Sequence, residues 1–416
     1  MLREAIHYGW LAATLASYVR GARRDAPVLP EPEEQRSERF LRLARENMFD
    51  RPENPYRRMF ELAGCDWEQL ARAVRRDGLE ETLGALHDAG VCLTHAELKG
   101  RSPVVREGRE IPAPHGKLVN RRGKGRLASR TSGSRSPGTP VPASVGFRLH
   151  NERYLRFIAR EFQLDQRPLV EIWPILPSTA GLVLCTAACR LAWPLRSWYT
   201  VGGGLKDTGH YRAVTRVLAG VCRRLGAGVP PPQYLPENDF GPVADHLGRL
   251  LEGGAGAAVL SYVSPAVRVA GAALDRGIDL SGTVFVLTGE ALTASKRGVI
   301  EATGAEVYPL YWAVELGPIG CACRQVRQGN DVHLFRDSLA VISRDIRVGD
   351  AGVLAPSLRF TALGEQAPLM LINAEMEDSA AIEPAACECT FGGLGFRQRL
   401  SGIFSYGKLT GHGMTL

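Results

Sequence analysis

AAVLSYVSPAVRVAGAALDRGIDLSGTVFVLTGEALTASKRGVIEATGAEVYPLY, residues 257–311, decides the fold. Residues 257–262 are a short apolar run, and 265–275 carry apolar side chains at three-to-four spacing. Residues 283–287 are apolar again, 293–303 are amphipathic, and 305–311 return to an extended apolar pattern. Continuous apolar runs of this length suit buried strands, and a period near 3.6 suits helices. The stretch therefore predicts strand, helix, strand, helix, strand, which implies α/β layering around a largely parallel sheet.

Working outward, the α/β pattern extends over 144–328. Beyond it the apolar segments shorten; 331–335, 339–342 and 369–373 read as strands with no long helix after them, so 329–416 is expected to form a smaller antiparallel β region. Upstream, residues 99–143 are rich in Gly, Ser, Arg and Pro and cannot bury much apolar surface, which predicts mostly loop. Residues 1–98 read as a helical N-terminal region: 40–48, 67–74 and 79–87 have helical spacing, with Pro27, Pro30, Pro32, Pro52 and Pro55 separating the helices. No repeat of fixed period is present.

With 416 residues, 45% hydrophobic and 23% charged, disorder and fibrous repeats are excluded. Much of the formal charge of +7 sits between Lys99 and Arg135, where only Glu107 and Glu110 oppose it. Such a block usually marks solvated chain, and it lacks the interleaved aromatics of a nucleic-acid surface, so no nucleic-acid partner is expected. The first helix carries Arg3, Glu4 and His7 and has no apolar run long enough for a bilayer, so neither a signal peptide nor a membrane anchor is expected. Nine cysteines without framework spacing fit a reducing cytoplasm.

The sharpest local signal is TSGSRSPGTPV, residues 131–141, with two glycines and five hydroxyl side chains within 131–139. Glycine lets consecutive N–H groups turn toward one anion, and hydroxyls add donors, so Ser132, Gly133, Ser134 and Thr139 form a candidate phosphate cradle. A flexible linker would share this composition; a Walker-type loop is excluded by the missing Gly-Lys-Ser/Thr ending. A second constellation is Cys323, His333, Cys387 and Cys389, with Cys321 as a spare. Three thiolates and an imidazole can close a tetrahedron around zinc without leaving a position for water. Buried cysteines acting as small hydrophobes are the alternative.

The first of these motifs resembles the phosphate loop of the adenylate-forming superfamily, roughly Thr-Ser-Gly-Thr-Thr-Gly-x-Pro, and three further blocks follow in that superfamily's order. Gly289-Glu290-Ala291-Leu292 is similar to its Gly-Glu-Pro-Leu turn, Tyr311-Trp312-Ala313-Val314-Glu315 to its Tyr-Gly-x-Thr-Glu block, and 371–378, ending in Asp378, to Leu-Ile-Arg-Tyr-Arg-Thr-Gly-Asp. Glu53-Asn54-Pro55-Tyr56-Arg57-Arg58, the end of 90–101 and the Cys-x-Cys pair resemble the phenylacetate-coenzyme A ligase subgroup. The resemblance covers most of the chain, most strongly over 280–416 and most weakly over 145–250.

The resemblance implies the layered sheets of adenylate-forming enzymes and ATP-dependent activation of a small carboxylate, with acyl transfer to coenzyme A, a carrier protein or another thiol or amine. Gly289, Glu290, Tyr311 and Trp312 would line the adenine pocket, Glu315 would hold magnesium, and Asp378 would bind the ribose hydroxyls. The Cys/His set would be a structural zinc site. Some positions depart from the pattern: the phosphate loop has no lysine, Trp312 and Val314 replace glycine and threonine, and Asn373 and Glu375 replace arginines. Ser405-Tyr406-Gly407-Lys408-Leu409 stands at the hinge before the superfamily's small lid, and the sequence ends at Leu416. The sequence would then be a trimmed piece of a longer chain, or a lid would come from a separate polypeptide, or the chain would use the same cleft without adenylation, as an acyltransferase or a module for acyl thioesters, carrier proteins or nucleotides.

Overall fold

A computed structural model describes residues 2–21, 33–113, 115–123, 125, 127–130, 140–201, 209–236, 239–325, 329–348 and 352–408. Two hairpins come first, β1 (Val104–Arg106) with β2 (Arg109–Ile111) and β3 (Leu127–Arg130) with β4 (Pro140–Ala143). β5 (Leu169–Ile172), β6 (Leu195–Val201), β7 (Pro232–Leu235), β8 (Ala257–Tyr262), β9 (Thr283–Thr288) and the first half of β10 (Glu306–Ala313) then pair in parallel, in the spatial order β7-β6-β5-β8-β9-β10. Helices cover both faces. Gly241–Leu251, Val263–Asp275 and Ala294–Glu301 lie on one side, and Leu2–Arg20, Val145–Phe162, Ala180–Arg190 and Gly209–Arg224 on the other. With both faces covered, strands such as β8 and β9 are buried at all but their last position and mostly apolar, which is why they read as near-continuous runs.

The antiparallel strands β11 (Gly317–Cys321), β12 (Val332–Leu334), β13 (Leu339–Val348), β14 (Val353–Ala362), β15 (Ala374–Pro384) and β16 (Gln398–Ser405) are joined to the parallel ones through β10. Residues 306–309 pair with β9 and residues 310–313 with β11, and the register shifts between Tyr311 and Trp312. The order continues β10-β11-β12-β16-β15-β14-β13. The helices between Glu33 and Leu98 pack on this half, where Phe40, Tyr56, Phe60 and Leu83 share a core with Leu358, Phe360 and Leu371. Reciprocal capping boxes, Asp66 with Gln69 and Thr94 with Glu97, start two of these helices.

Two stretches differ from the sequence reading. Residues 369–373 are not a strand: Asn373 is left-handed (φ 48°), and its amide donates to Leu83 O and Val91 O at 2.8 and 3.1 Å. The apolar run before it lies in the core, with Ile372 satisfied by the Tyr56 hydroxyl. The start of 99–143 is not a solvated connector either. Leu118 and Asn120 are buried, and Arg106 clamps Glu97 at 2.7 and 3.0 Å.

Inside the parallel half, Glu171 on β5 is fully buried and accepts the Cys185 thiol at 3.1 Å. Burial pushes its carboxyl up to about 7. The unfolded carboxyl ionises near 4.5, so the folded state holds the extra proton above that pH. Stability is therefore greatest below the unfolded value and falls by roughly 3 kcal/mol as pH rises through the folded one. Glu171→Gln should remove that part of the slope in urea unfolding between about pH 5 and about pH 8; an unchanged slope would exclude Glu171 as its source.

Candidate functional site

The carboxyl ends of parallel strands are where open α/β sheets bind ligands, because the connecting loops open there. At that edge Leu287 of β9 pairs with Pro309 of β10, and two residues further along each strand stand Gly289 and Tyr311. Gly289 has φ 82°, and a Cβ there would lie 2.6 Å from Tyr262 Cδ1, so the turn requires glycine. Glu290 is held inside this turn: it accepts from the Ser264 hydroxyl, from Ser264 N at 3.4 Å and from Lys296 Nζ at 3.3 Å.

Tyr311 donates its hydroxyl to Asp378 Oδ2 at 2.5 Å, joining β10 to β15. Burial, reinforced by the Asp378 charge, raises its phenol well above the ordinary value. Trp312 is not brought to this contact. Adjacent side chains leave a strand on opposite sides, and Trp312 packs against the core beneath the parallel half while Tyr311 packs against the core of the antiparallel half. Glu315, in the turn after β10, is buried, and Lys99 Nζ lies 2.5 Å from its Oε1.

A second polar chain adjoins Asp378. Arg359 and Glu375 are cross-strand partners on β14 and β15 and form an ion pair at 3.1 Å. Arg359 also donates to Ser357 Oγ at 3.0 Å, Ser357 meets the Tyr406 hydroxyl at 2.8 Å, and Tyr406 donates to Glu375. The ring closes on itself, so the acid at 375 is charge-matched from the neighbouring strand and fixes the turn Tyr406–Lys408.

Ser132, Gly133, Ser134 and Thr139 lie outside the described residues. Lys99, Arg359 and Tyr406 were not foreseen as site residues. For Lys99 a signal existed: the Thr94-x-x-Glu97 capping box places it at the end of an ordered helix.

The Cys/His set converges from three segments. Cys323 follows β11, His333 lies on β12, and Cys387 and Cys389 immediately precede the short helix Thr390–Gly393, with Cys389 as its N-cap. Their ligand atoms all lie within 4.8 Å of one another. Cys387 Sγ is 3.0 Å from Cys389 Sγ, 3.1 Å from His333 Nε2 and 4.0 Å from Cys323 Sγ, and Cys389 Sγ is 3.3 Å from His333 Nε2. Ligand atoms on a tetrahedral zinc with bonds of about 2.3 Å stand roughly 3.5 to 4 Å apart, so the donor set fits that ion with small adjustments. The ring is oriented from behind, since His333 Nδ1 meets Phe396 O at 2.8 Å and turns Nε2 toward the thiols. Gly392 is needed here, because a Cβ would sit 2.0 Å from Cys387 O. Cys321, the cross-strand partner of His333, is buried but not part of the set.

No protein-family profile matches the chain, and no curated protein matches it in sequence. Among solved structures it is similar to VinN in complex with L-aspartate, at 14% identity over 58% of this chain and 50% of that one, TM-score 0.31. It is similar to an acyl-CoA synthetase from Brucella canis, at 15% identity over 88% and 70%, TM-score 0.34. It is also similar to an acyl-CoA synthetase (AMP-forming)/AMP-acid ligase II-like protein from Dyadobacter fermentans, at 12% identity over 62% and 57%, TM-score 0.35. The chain spans half the length of VinN. Similarity at this level carries no argument about activity or substrate. Among the described residues no helix is long and apolar enough to cross a membrane.

Proposed function

We propose that the chain binds ATP at the carboxyl edge of its parallel strands and activates a small carboxylate as an acyl-adenylate for transfer to coenzyme A, a carrier protein or another thiol or amine. The observation that carries this reading is the Tyr311–Asp378 contact: two of the motif residues, 67 positions apart, meet beside a third at Glu315. In the reaction a carboxylate oxygen attacks the α-phosphorus and the bond to pyrophosphate breaks. No protein nucleophile is required; the site supplies proximity and charge.

Tyr311 would pack on adenine, with the Gly289–Glu290 turn lining the same pocket. A carboxylate has about four lone-pair sites, so Asp378 can keep the Tyr311 hydroxyl and still accept from two ribose hydroxyls. Ser132, Gly133, Ser134 and Thr139 would donate to phosphates, with a cation held at Glu315. Zinc bound by Cys323, His333, Cys387 and Cys389 would be structural, since four protein ligands leave no open position.

Isothermal titration of ATP into the full chain and into Asp378→Asn tests the reading. The parent should bind, and the variant should bind at least about tenfold more weakly; equal affinities, or no binding by the parent, would sink it. One observation favours the second reading, a non-adenylating acyl-thioester, carrier-protein or nucleotide-binding module: Glu315 already faces an ammonium. Retained ATP binding without acyl-adenylate formation, even with a lid supplied, would select that module.

A further inference from the structure

We infer that Lys99, not a metal ion, is the cation that Glu315 holds for the phosphates of a bound nucleotide, and that Glu315 is its positioning carboxylate. The inference rests on the nucleotide site proposed above. Its first support is geometric. Lys99 Nζ lies 2.5 Å from Glu315 Oε1, and the two side chains are only 9% and 7% exposed. A pair so withdrawn from water does not tolerate losing one member, because the other is left as an uncompensated charge. Magnesium coordinating that oxygen would need it at about 2.0–2.1 Å within a near-octahedral shell, and the ammonium would have to leave. The cation position at Glu315 Oε1 is therefore already filled by the protein's own charge.

Lys99 is also built in place. It follows the helix His95–Leu98, whose capping box fixes Thr94 and Glu97, and Glu97 is in turn gripped by Arg106 at 2.7 and 3.0 Å. Its backbone N–H donates to His95 O at 3.0 Å, closing the helix end. The side chain thus starts from a fixed point and ends at Glu315. An ammonium has three donors and serves phosphate as a point charge; Glu315 takes one of them.

The neighbourhood suits that use. The charges of Asp378 and Glu315 both bear on the Tyr311 phenol, so the pair adjoins the residues proposed for ribose and adenine. The ordinary alternative is that Lys99 merely ties the N-terminal helices to the turn after β10. A purely structural lysine would affect every ligand alike; a phosphate-binding one affects only ligands that carry phosphate.

The test compares adenosine with ATP on the full chain, by isothermal titration in excess chelator, for the parent, Lys99→Met and Lys99→Arg. The parent is expected to bind ATP at least about tenfold more tightly than adenosine without any metal. Lys99→Met should bring the ratio of ATP to adenosine affinity close to one, whatever it does to adenosine affinity alone, and Lys99→Arg should restore part of that ratio. A gap that survives in Lys99→Met, or one that opens in the parent only when magnesium is added, overturns the role of Lys99 and leaves the nucleotide site standing. Failure of the parent to bind either ligand overturns the nucleotide site itself, and this inference with it. Should Lys99→Met not fold, the double variant Lys99→Met/Glu315→Gln, which strands no buried charge, takes its place with the same two outcomes.

Discussion

Chelating the metal proposed for Cys323, His333, Cys387 and Cys389, or replacing Cys387 with serine, is expected to lower thermal stability more than any single core substitution. A closed Cys/His zinc site contributes about 10 kcal/mol of binding free energy at neutral pH, and because the site is absent in the unfolded chain much of that becomes folding free energy. Here the ligands tie the end of β11 and the strand β12 to the turn before Thr390–Gly393. Without metal the turn keeps the bonds from Glu388 N to Gln325 Oε1 at 3.0 Å, from Thr390 N to Glu161 Oε2 at 2.9 Å and from Gly392 N to Cys389 Sγ at 3.3 Å, together with apolar contacts, but nothing joins its two thiols to His333 and Cys323 with the strength of a metal bond. Metal analysis of the purified chain should give one zinc per molecule, and Cys387→Ser should lose it. Cys321→Ser should retain it, because Cys321 is outside the set. A chain purified without zinc, whose melting neither chelator nor added zinc alters, would show that these are ordinary buried thiols.

Arg190→Met should cost about 3–5 kcal/mol in urea unfolding, the usual penalty for stranding one member of a buried ion pair. The Arg190 and Glu152 side chains are 3% and 5% exposed and meet at 2.7 Å. The same guanidinium donates to Val19 O and Gly21 O at 2.7 and 3.0 Å and lies over the Tyr18 ring at 5.1 Å. One side chain therefore holds the end of Leu2–Arg20 to the helices Val145–Phe162 and Ala180–Arg190. The double variant Arg190→Met/Glu152→Leu should recover a large part of the loss, since no unpaired charge remains. A single-variant cost below about 1 kcal/mol would mean that the pair behaves as a solvated one.

The parallel half was legible because its physics is local. A strand buried on both faces is mostly apolar, and its crossover helix is amphipathic, so the change of period along 257–311 marks each boundary. The strands were expected at 257–262, 283–287 and 305–311 and occur at Ala257–Tyr262, Thr283–Thr288 and Glu306–Ala313. The antiparallel half was legible as strands but not in its connection, because no periodicity reveals that β10 changes partners midway. Leu369 to Ile372 misled for a related reason: apolar residues in a core loop look like a strand until the groups that satisfy their backbone are known.

At the site, motifs marked single residues and could not mark their partners. Tyr311, Glu315 and Asp378 stand out in the sequence, whereas Lys99 reads as one more charge in a basic stretch until the fold brings it 216 positions along to Glu315. The Cys/His set was readable because thiols and imidazole are rare enough for their types alone to suggest a ligand set.

The core shared by the N-terminal helices and the antiparallel strands also sets an order of events during synthesis. Tyr56 bonds to Ile372 across 316 positions, and Leu93 bridges to Ala374. At about 5 to 20 residues per second the ribosome needs roughly 15 to 60 s to make the intervening chain. Through that interval the apolar faces that carry Phe40, Tyr56 and Phe60 lack the strands that share their core, so these helices reach their native surroundings only after a segment made 316 positions later.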